Sequence, residues 1–337
     1  VIITHAFKTP VVLALALGLL ALEQVGVAKD AFGLDQFKVR IETITKPQNS
    51  YATKYGTPLS VYAITPTQNP RSQKSEPLRF LIQGGLHGNE LLSSEFVAWL
   101  AQRFANGDSL LNTLNNGHIA IDFVPYANPD GTIQYTRYNA NKVNLNRNFD
   151  VLWGMTRENP GTAPFSENET RAIRDLVIKR KYTAAIDVHG YVNWIVLPTA
   201  PTEKFKELSK ISADRRLTYA QWDKAVRRET AKQLPGYEIK TAGELGDGGA
   251  FEDFAWWSGD SLAACLELFT DSRHVMSFLA DTIINFIAPK TLSAGNQPQT
   301  RQSDTFIAYE NYVHSLFNEA ITIKSKKDSQ KKDVVSN

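Results

Sequence analysis

The chain has 337 residues, 42% of them hydrophobic, and its 37 Lys and Arg stand against 35 Asp and Glu for a formal net charge of +2. Such a length can bury a large core as one catalytic domain of about 250 residues or slightly more, so a second domain is not required. Near neutrality without a basic stripe of interleaved aromatics argues against a nucleic-acid partner, and the single Cys265 rules out an intramolecular disulfide while leaving export open.

From the amino terminus, Val11 to Leu22 is a short apolar run, preceded by Lys8 and followed by Gly26-Val27-Ala28, small residues of the kind a signal peptidase requires. Residues 1–28 are therefore read as a signal peptide, with an uncleaved membrane anchor as the alternative. The run is shorter than the roughly 20 apolar residues that span a bilayer, so the mature chain is expected to be periplasmic or secreted, with no transmembrane span. A lead-in over 29–56 gives way to a catalytic domain over 57–290. Strand-like runs at Leu59 to Ile64, Leu78 to Ile82, His118 to Val124, Tyr182 to Val188, Trp194 to Leu197 and Ser261 to Leu268 alternate there with helical stretches. The helices are expected near Leu91 to Phe104, Glu167 to Lys179, Glu203 to Gln233 in pieces, Phe251 to Trp257 and Val275 to Ile287. The alternation predicts an α/β sandwich. Residues 291–323 form a C-terminal extension, and 324–337, with five lysines and almost nothing apolar before Val334-Val335, are expected to be a disordered basic tail.

Chemistry enters at His87-Gly88-Asn89-Glu90, which sets an imidazole and a carboxylate three residues apart where a strand-like run gives way, through glycines, to a helix. Alone the spacing is weak evidence, but it suits one metal ion. Asp187-Val188-His189-Gly190 closes an apolar strand and offers a third ligand at its carboxyl end. Three protein ligands of His and carboxylate type, with a fourth position for water, are what catalytic zinc commonly takes. Glu267, set between Leu266 and Leu268 on an apolar strand, is costly to bury without a partner and is explained as a general base once the metal is granted. Arg137-Tyr138-Asn139 and Asn144-Leu145-Asn146-Arg147-Asn148-Phe149 concentrate donors for an anionic substrate and for charge developing on a carbonyl oxygen.

In their order, His87-x-x-Glu90, Asn128-Pro129-Asp130-Gly131, Arg137, Asn146-Arg147-Asn148, Asp187-x-His189 and Glu267 resemble the zinc metallocarboxypeptidase family, the carboxypeptidase A-like peptidases. The resemblance covers roughly Leu59 to Pro289 and is closest in style to bacterial members without a pro-domain, including the murein tripeptide amidases. It implies an α/β/α sandwich with a mixed central sheet and one zinc ion held by His87, Glu90 and His189. It further implies Arg137 as the oxyanion donor, Asn146 and Arg147 as the pair gripping a terminal carboxylate, and Glu267 as the general base.

Two departures stand out. Asn144 occupies the place of a family aspartate that supports the first zinc histidine, which should leave His87 a weaker donor, while Asp187 shares a strand face with His189 and restores negative charge nearby. No tyrosine falls where the family has a mobile one: the position is Leu245, and Tyr237 is the nearest. By the resemblance, Glu252, just before Asp253, points into the pocket for the leaving residue and so implies a cationic side chain such as lysine, arginine or diaminopimelate; the alternative is an exposed turn position. Cys265 shares the strand face of Glu267 and is read first as a small core residue. The expected activity is a carboxypeptidase acting on peptides or peptidoglycan stem peptides (muropeptides). A zinc deacylase of the succinylglutamate desuccinylase or aspartoacylase type and a non-catalytic envelope binding protein are the alternatives.

Overall fold

In the computed structural model, which describes residues 37–43, 53–66, 76–269 and 301–335, the apolar runs pair into one mixed sheet of eight strands. These are β1 (Phe37–Thr43), β2 (Ser60–Pro66), β3 (Leu78–Gly84), β4 (Ile119–Val124), β5 (Ala184–Gly190), β6 (Trp194–Leu197), β7 (Glu238–Thr241) and β8 (Leu262–Leu268). Their spatial order is β1-β2-β4-β3-β5-β8-β6-β7. The centre, β4-β3-β5-β8, is parallel, and antiparallel pairs join β1 to β2, β2 to β4 and β6 to β8. Parallel strands are covered on both faces and so are apolar along their whole length rather than alternately. Phe80, Leu81 and Ile82 of β3 and the whole of β4 are accordingly buried.

Helices cover the sheet to give the expected α/β/α layering. They include α1 (Leu91–Asn106), α2 (Pro129–Gln134), α3 (Asn168–Arg180), α4 (Ala213–Gln233), α5 (Phe251–Trp257) and α6 (Arg301–Val335). α1 stops at Gly107, whose φ of 81° is the left-handed conformation that glycine adopts without strain. α2 starts with proline in its first turn, and the Asn128 side chain accepts from Gly131 N. α4 is capped by Ser212, whose side chain accepts from Arg215 N.

Two terminal regions correct the domain reading. β1, inside the expected lead-in, is a strand of the same sheet, and α6 occupies the expected extension from Arg301 and continues to Val335, where the composition suggested a disordered tail. The cause is visible in α6 itself. Phe306, Tyr309, Val313, Leu316, Phe317, Ala320 and Ile323 recur at helical spacing and are all buried in the main core. Phe317 stacks on Phe80 of β3 at 4.3 Å between ring centroids, and Tyr312 meets Thr230 of α4 through a 2.8 Å hydroxyl contact. A helix nucleated by such packing extends into Lys- and Gln-containing sequence at little cost. Lys324 donates to Thr183 Oγ1 at 3.3 Å.

The signal-peptide reading over 1–28 and the helix expected at Val275 to Ile287 lie outside the described residues. Among the described residues no helix is long and apolar enough to cross a membrane. If α6 is part of the catalytic core, Phe317→Ala should destabilise the protein by about 3–5 kcal/mol, read by chemical denaturation. A denaturation midpoint unchanged from wild type would show that α6 is peripheral.

Candidate active site

The ends of three parallel strands converge on one point. After β3 the chain turns through Gly85 to Asn89 into α1, with Glu90 at the N-cap. A β-carbon on Gly88 would lie 2.2 Å from the Gly131 carbonyl carbon, so the turn crosses α2 at a separation only glycine allows. The Glu90 side chain caps nothing and is free to face inward. β5 carries His189 one residue before its end, and the parallel register sets Glu267 of β8 directly beside it.

His87, Glu90 and His189 are buried, and each offers a ligand atom within 4.8 Å of the others. His87 Nδ1 lies 2.8 Å from Glu90 Oε1 and 3.0 Å from His189 Nδ1, which is itself 3.0 Å from Glu90 Oε2. The outward nitrogens are occupied: His87 Nε2 donates to Asn144 Oδ1 at 3.1 Å and His189 Nε2 to Asp187 Oδ2 at 2.8 Å. Those contacts select the tautomers that turn both Nδ1 lone pairs inward. Two nitrogen lone pairs and one carboxylate, buried and mutually close, form a donor set that fits zinc. Asn144 therefore sits behind His87, as the resemblance implied, and the carboxylate Asp187 supports the other histidine.

The remaining expected residues surround this cluster. Arg137 Nη1 reaches Glu90 Oε1 at 3.1 Å and His87 Nδ1 at 3.0 Å. Asn146 lies 3.4 Å from His189 through Nδ2, while its Oδ1 accepts from Phe251 N at 2.8 Å. Arg147 donates to Asn146 O at 2.6 Å and to Asp247 Oδ1 at 2.5 Å. Glu252 is buried rather than on an exposed turn, and its Oε2 has no hydrogen-bond partner. Its neighbour Asp253 is engaged by Thr199 through backbone N and hydroxyl, which marks it as a structural carboxylate. Tyr237 is held in place, its hydroxyl 3.1 Å from Glu267 O and 2.7 Å from the Tyr309 hydroxyl. Cys265 is buried with Val196, Ala242 and Ala250, a core residue as first read.

Electrostatics separate the carboxylates by role. Burial opposes ionisation of Glu90, yet His87 and His189 hold its pKa well below the usual carboxylate range. Burial pushes Glu267 up to about 7, opposed by His189 and reinforced by the negative charge of Glu90 and Asp187. A carboxyl poised there, with Oε2 unpartnered, can take and release a proton near neutral pH. Burial and then Asp253 raise Glu252 well above the ordinary value. Two acidic residues escaped the sequence reading: Glu158, which forks onto Arg137 with both contacts at 3.1 Å, and Asp247 on Arg147. Neither belongs to a motif, and their only signal was that two partly buried arginines require counter-charge.

Residues 34–291 match a family model described as zinc carboxypeptidase. The carboxypeptidase B of Helicoverpa zea is 27% identical over 192 residues, which are 49% of this chain and 44% of that protein. The inactive metallocarboxypeptidase ECM14 of Arthroderma otae is 28% identical over 166 residues, 40% of this chain and 28% of that protein. The chain thus spans less than half the length of either relative. The crystal structure of thrombin activatable fibrinolysis inhibitor shares the fold with a TM-score of 0.61 at 19% identity, covering 90% of this chain and 73% of that one.

The geometry generates a metal prediction. His87→Ala and His189→Ala should each lose bound zinc in metal analysis, and Asp187→Asn should weaken zinc affinity by about 10- to 100-fold. Stoichiometric zinc retained in both histidine variants would rule the ligand set out.

Proposed function

The chain belongs to the zinc carboxypeptidase family, and from that premise we propose that it hydrolyses the last bond of a peptide to release a single C-terminal residue. The observation carrying this reading is that a buried His-Glu-His donor set has Glu267 in register beside His189, Arg137 against His87 and Glu90, and Arg147 next to Asn146, which reaches His189. When bound, zinc supplies Lewis acidity, polarising a carbonyl and lowering the pKa of water to roughly 7. Glu267 then accepts the proton of the attacking water and returns it to the departing amine. Arg137 donates to the oxygen on which charge develops. Arg147, aided by Asn146, grips the free carboxylate of the leaving residue through its planar fork.

The finer reading concerns the substrate. Glu252 is a buried carboxyl with an unpartnered oxygen and negative neighbours in Asp253 and Asp187, so an incoming ammonium or guanidinium would supply its missing counter-charge. This supports a cationic leaving residue: lysine, arginine or diaminopimelate. With the signal-like segment over 1–28, it makes exported action on peptidoglycan stem peptides the preferred setting.

Glu267→Gln should keep zinc and lose about 10²- to 10⁴-fold in kcat. Because only the ionised carboxylate accepts a proton, wild-type kcat/KM should fall as pH drops below the Glu267 pKa. That value is about 7 by burial, and zinc's charge draws it lower. The glutamine variant should lack this acid limb. Near wild-type kcat in metal-loaded Glu267→Gln would sink the mechanism.

Mass spectrometry of peptides, muropeptides and N-acyl amino acids treated with zinc-loaded enzyme should show loss of one C-terminal residue, with cationic residues released fastest. In Glu252→Gln that preference should move toward neutral residues. An unchanged ratio of kcat/KM would remove the acidic-pocket reading, and turnover confined to N-acyl amino acids would make the protein a deacylase.

A further inference from the structure

Both arginines assigned to the substrate are already engaged by carboxylates of the chain itself. Glu158 takes Arg137 in a two-point fork, Nε to Oε2 and Nη2 to Oε1, and the same Oε1 lies 3.6 Å from Arg147 Nη2. One carboxylate thus spans the oxyanion donor and the arginine that would grip a substrate's terminal carboxylate. An ion pair serving only to neutralise Arg137 would have no reason to lean on Arg147, which Asp247 already holds at 2.5 Å.

The Glu158 side chain is 27% exposed and that of Arg147 only 7%, so the carboxylate sits on the solvent side of a mostly buried guanidinium and has water to move into. Its backbone is not free to leave. Glu158 N donates to Thr156 Oγ1 at 3.2 Å, Asn144 N donates to Asn159 O at 2.9 Å, and Asn159 Nδ2 donates to Lys142 O at 3.0 Å. The loop is therefore fastened to the segment that carries Asn144, Asn146 and Arg147. A group tethered this closely competes as if present at an effective concentration on the order of millimolar, whatever the substrate level. Arg137, despite partial burial of the carboxyl, holds Glu158 down at about 2, so the competitor is ionised at every working pH.

We propose that Glu158 is a specificity-determining residue that bridges Arg137 to Arg147 until the terminal carboxylate of a substrate displaces it from Arg147, a role that rests on the carboxypeptidase reading above. An end without a carboxylate, such as an amide, cannot make that exchange and leaves Glu158 in place. A free acid makes it at the cost of a weaker apparent affinity. Chemistry after displacement is untouched, so the residue acts on KM rather than on kcat.

The test uses the zinc-loaded full chain, a peptide with a free C-terminal acid, and its amide as a competitive inhibitor. Glu158→Gln should lower KM for the acid by about three- to tenfold, the scale of one charge-assisted contact, with kcat within about twofold and the amide's inhibition constant unchanged. An unchanged or raised KM overturns the proposal, and so does a loss of kcat at constant KM, which would make Glu158 a positioning residue for Arg137. Arg147→Lys separates this from the underlying reading: a raised KM there keeps the carboxypeptidase assignment whatever Glu158→Gln does, and an unchanged KM removes it. Should the glutamine variant not fold, Glu158→Asp keeps the charge but shortens its reach by one methylene. It should lower KM by a smaller factor, and no decrease there overturns the proposal as well.

Discussion

Two imidazole nitrogens held 3.0 Å apart, with a carboxylate as close to each, repel one another unless positive charge lies among them. The surrounding architecture keeps that arrangement in place. Parallel β3, β5 and β8 end together, which brings His87, His189 and Glu267 to one edge. The glycine at 88 lets the first ligand turn pass against α2. Asn144 and Asp187 accept from the outer nitrogens and so fix which face of each ring looks inward. Burial first, and then the negative charge of Glu90 and Asp187, also makes Glu267 reluctant to ionise, so the packing that encloses the donor set sets the state of the carboxyl beside it.

A layer of aromatic packing stiffens the segments that carry Arg147 and Glu252. Phe149, Phe165, Phe251 and Phe254 pack ring on ring, with Phe149 and Phe254 stacked at 5.2 Å. Phe149 follows the Asn146-Arg147 turn and Phe251 opens α5 immediately before Glu252, so this cluster fixes the segments carrying Arg147 and Glu252 against each other. The bond from Phe251 N to Asn146 Oδ1 ties the same two segments directly. Gly249 completes the arrangement, since a β-carbon there would lie 2.2 Å from Arg147 O.

Sequence reached most of the central sheet and the three residues of the His-Glu-His cluster because their signals are local. Ala184–Gly190 announces a covered strand by its own apolar run, and His87-x-x-Glu90 sits at a junction marked by glycines. The two-residue period placed Asp187 on the face of His189, and the contact is there at 2.8 Å. What escaped is non-local. β1 and β7 are edge strands that interleave charged residues with apolar ones and lack the continuous apolar run that marks the central strands. Glu158 lies in a turn-rich stretch, and its role depends on Arg137 and Arg147 arriving from elsewhere in the chain. α6 was hidden by its lysines, because composition averages over a segment whereas burial follows one face of it.

The stacking of Phe317 on Phe80 also has a consequence for how the protein is made. β3 lies near the start of the catalytic sheet and leads directly into His87, while the ring that covers it belongs to the last helix described. A ribosome delivers the strand long before its cover. During that interval the nascent sheet carries an exposed apolar face, with the cation-binding residues at its edge not yet locked. The His-Glu-His cluster at the end of β3 is thus backed by its full packing only after the α6 segment has been made, and until then the sheet presents a sticky face to chaperones.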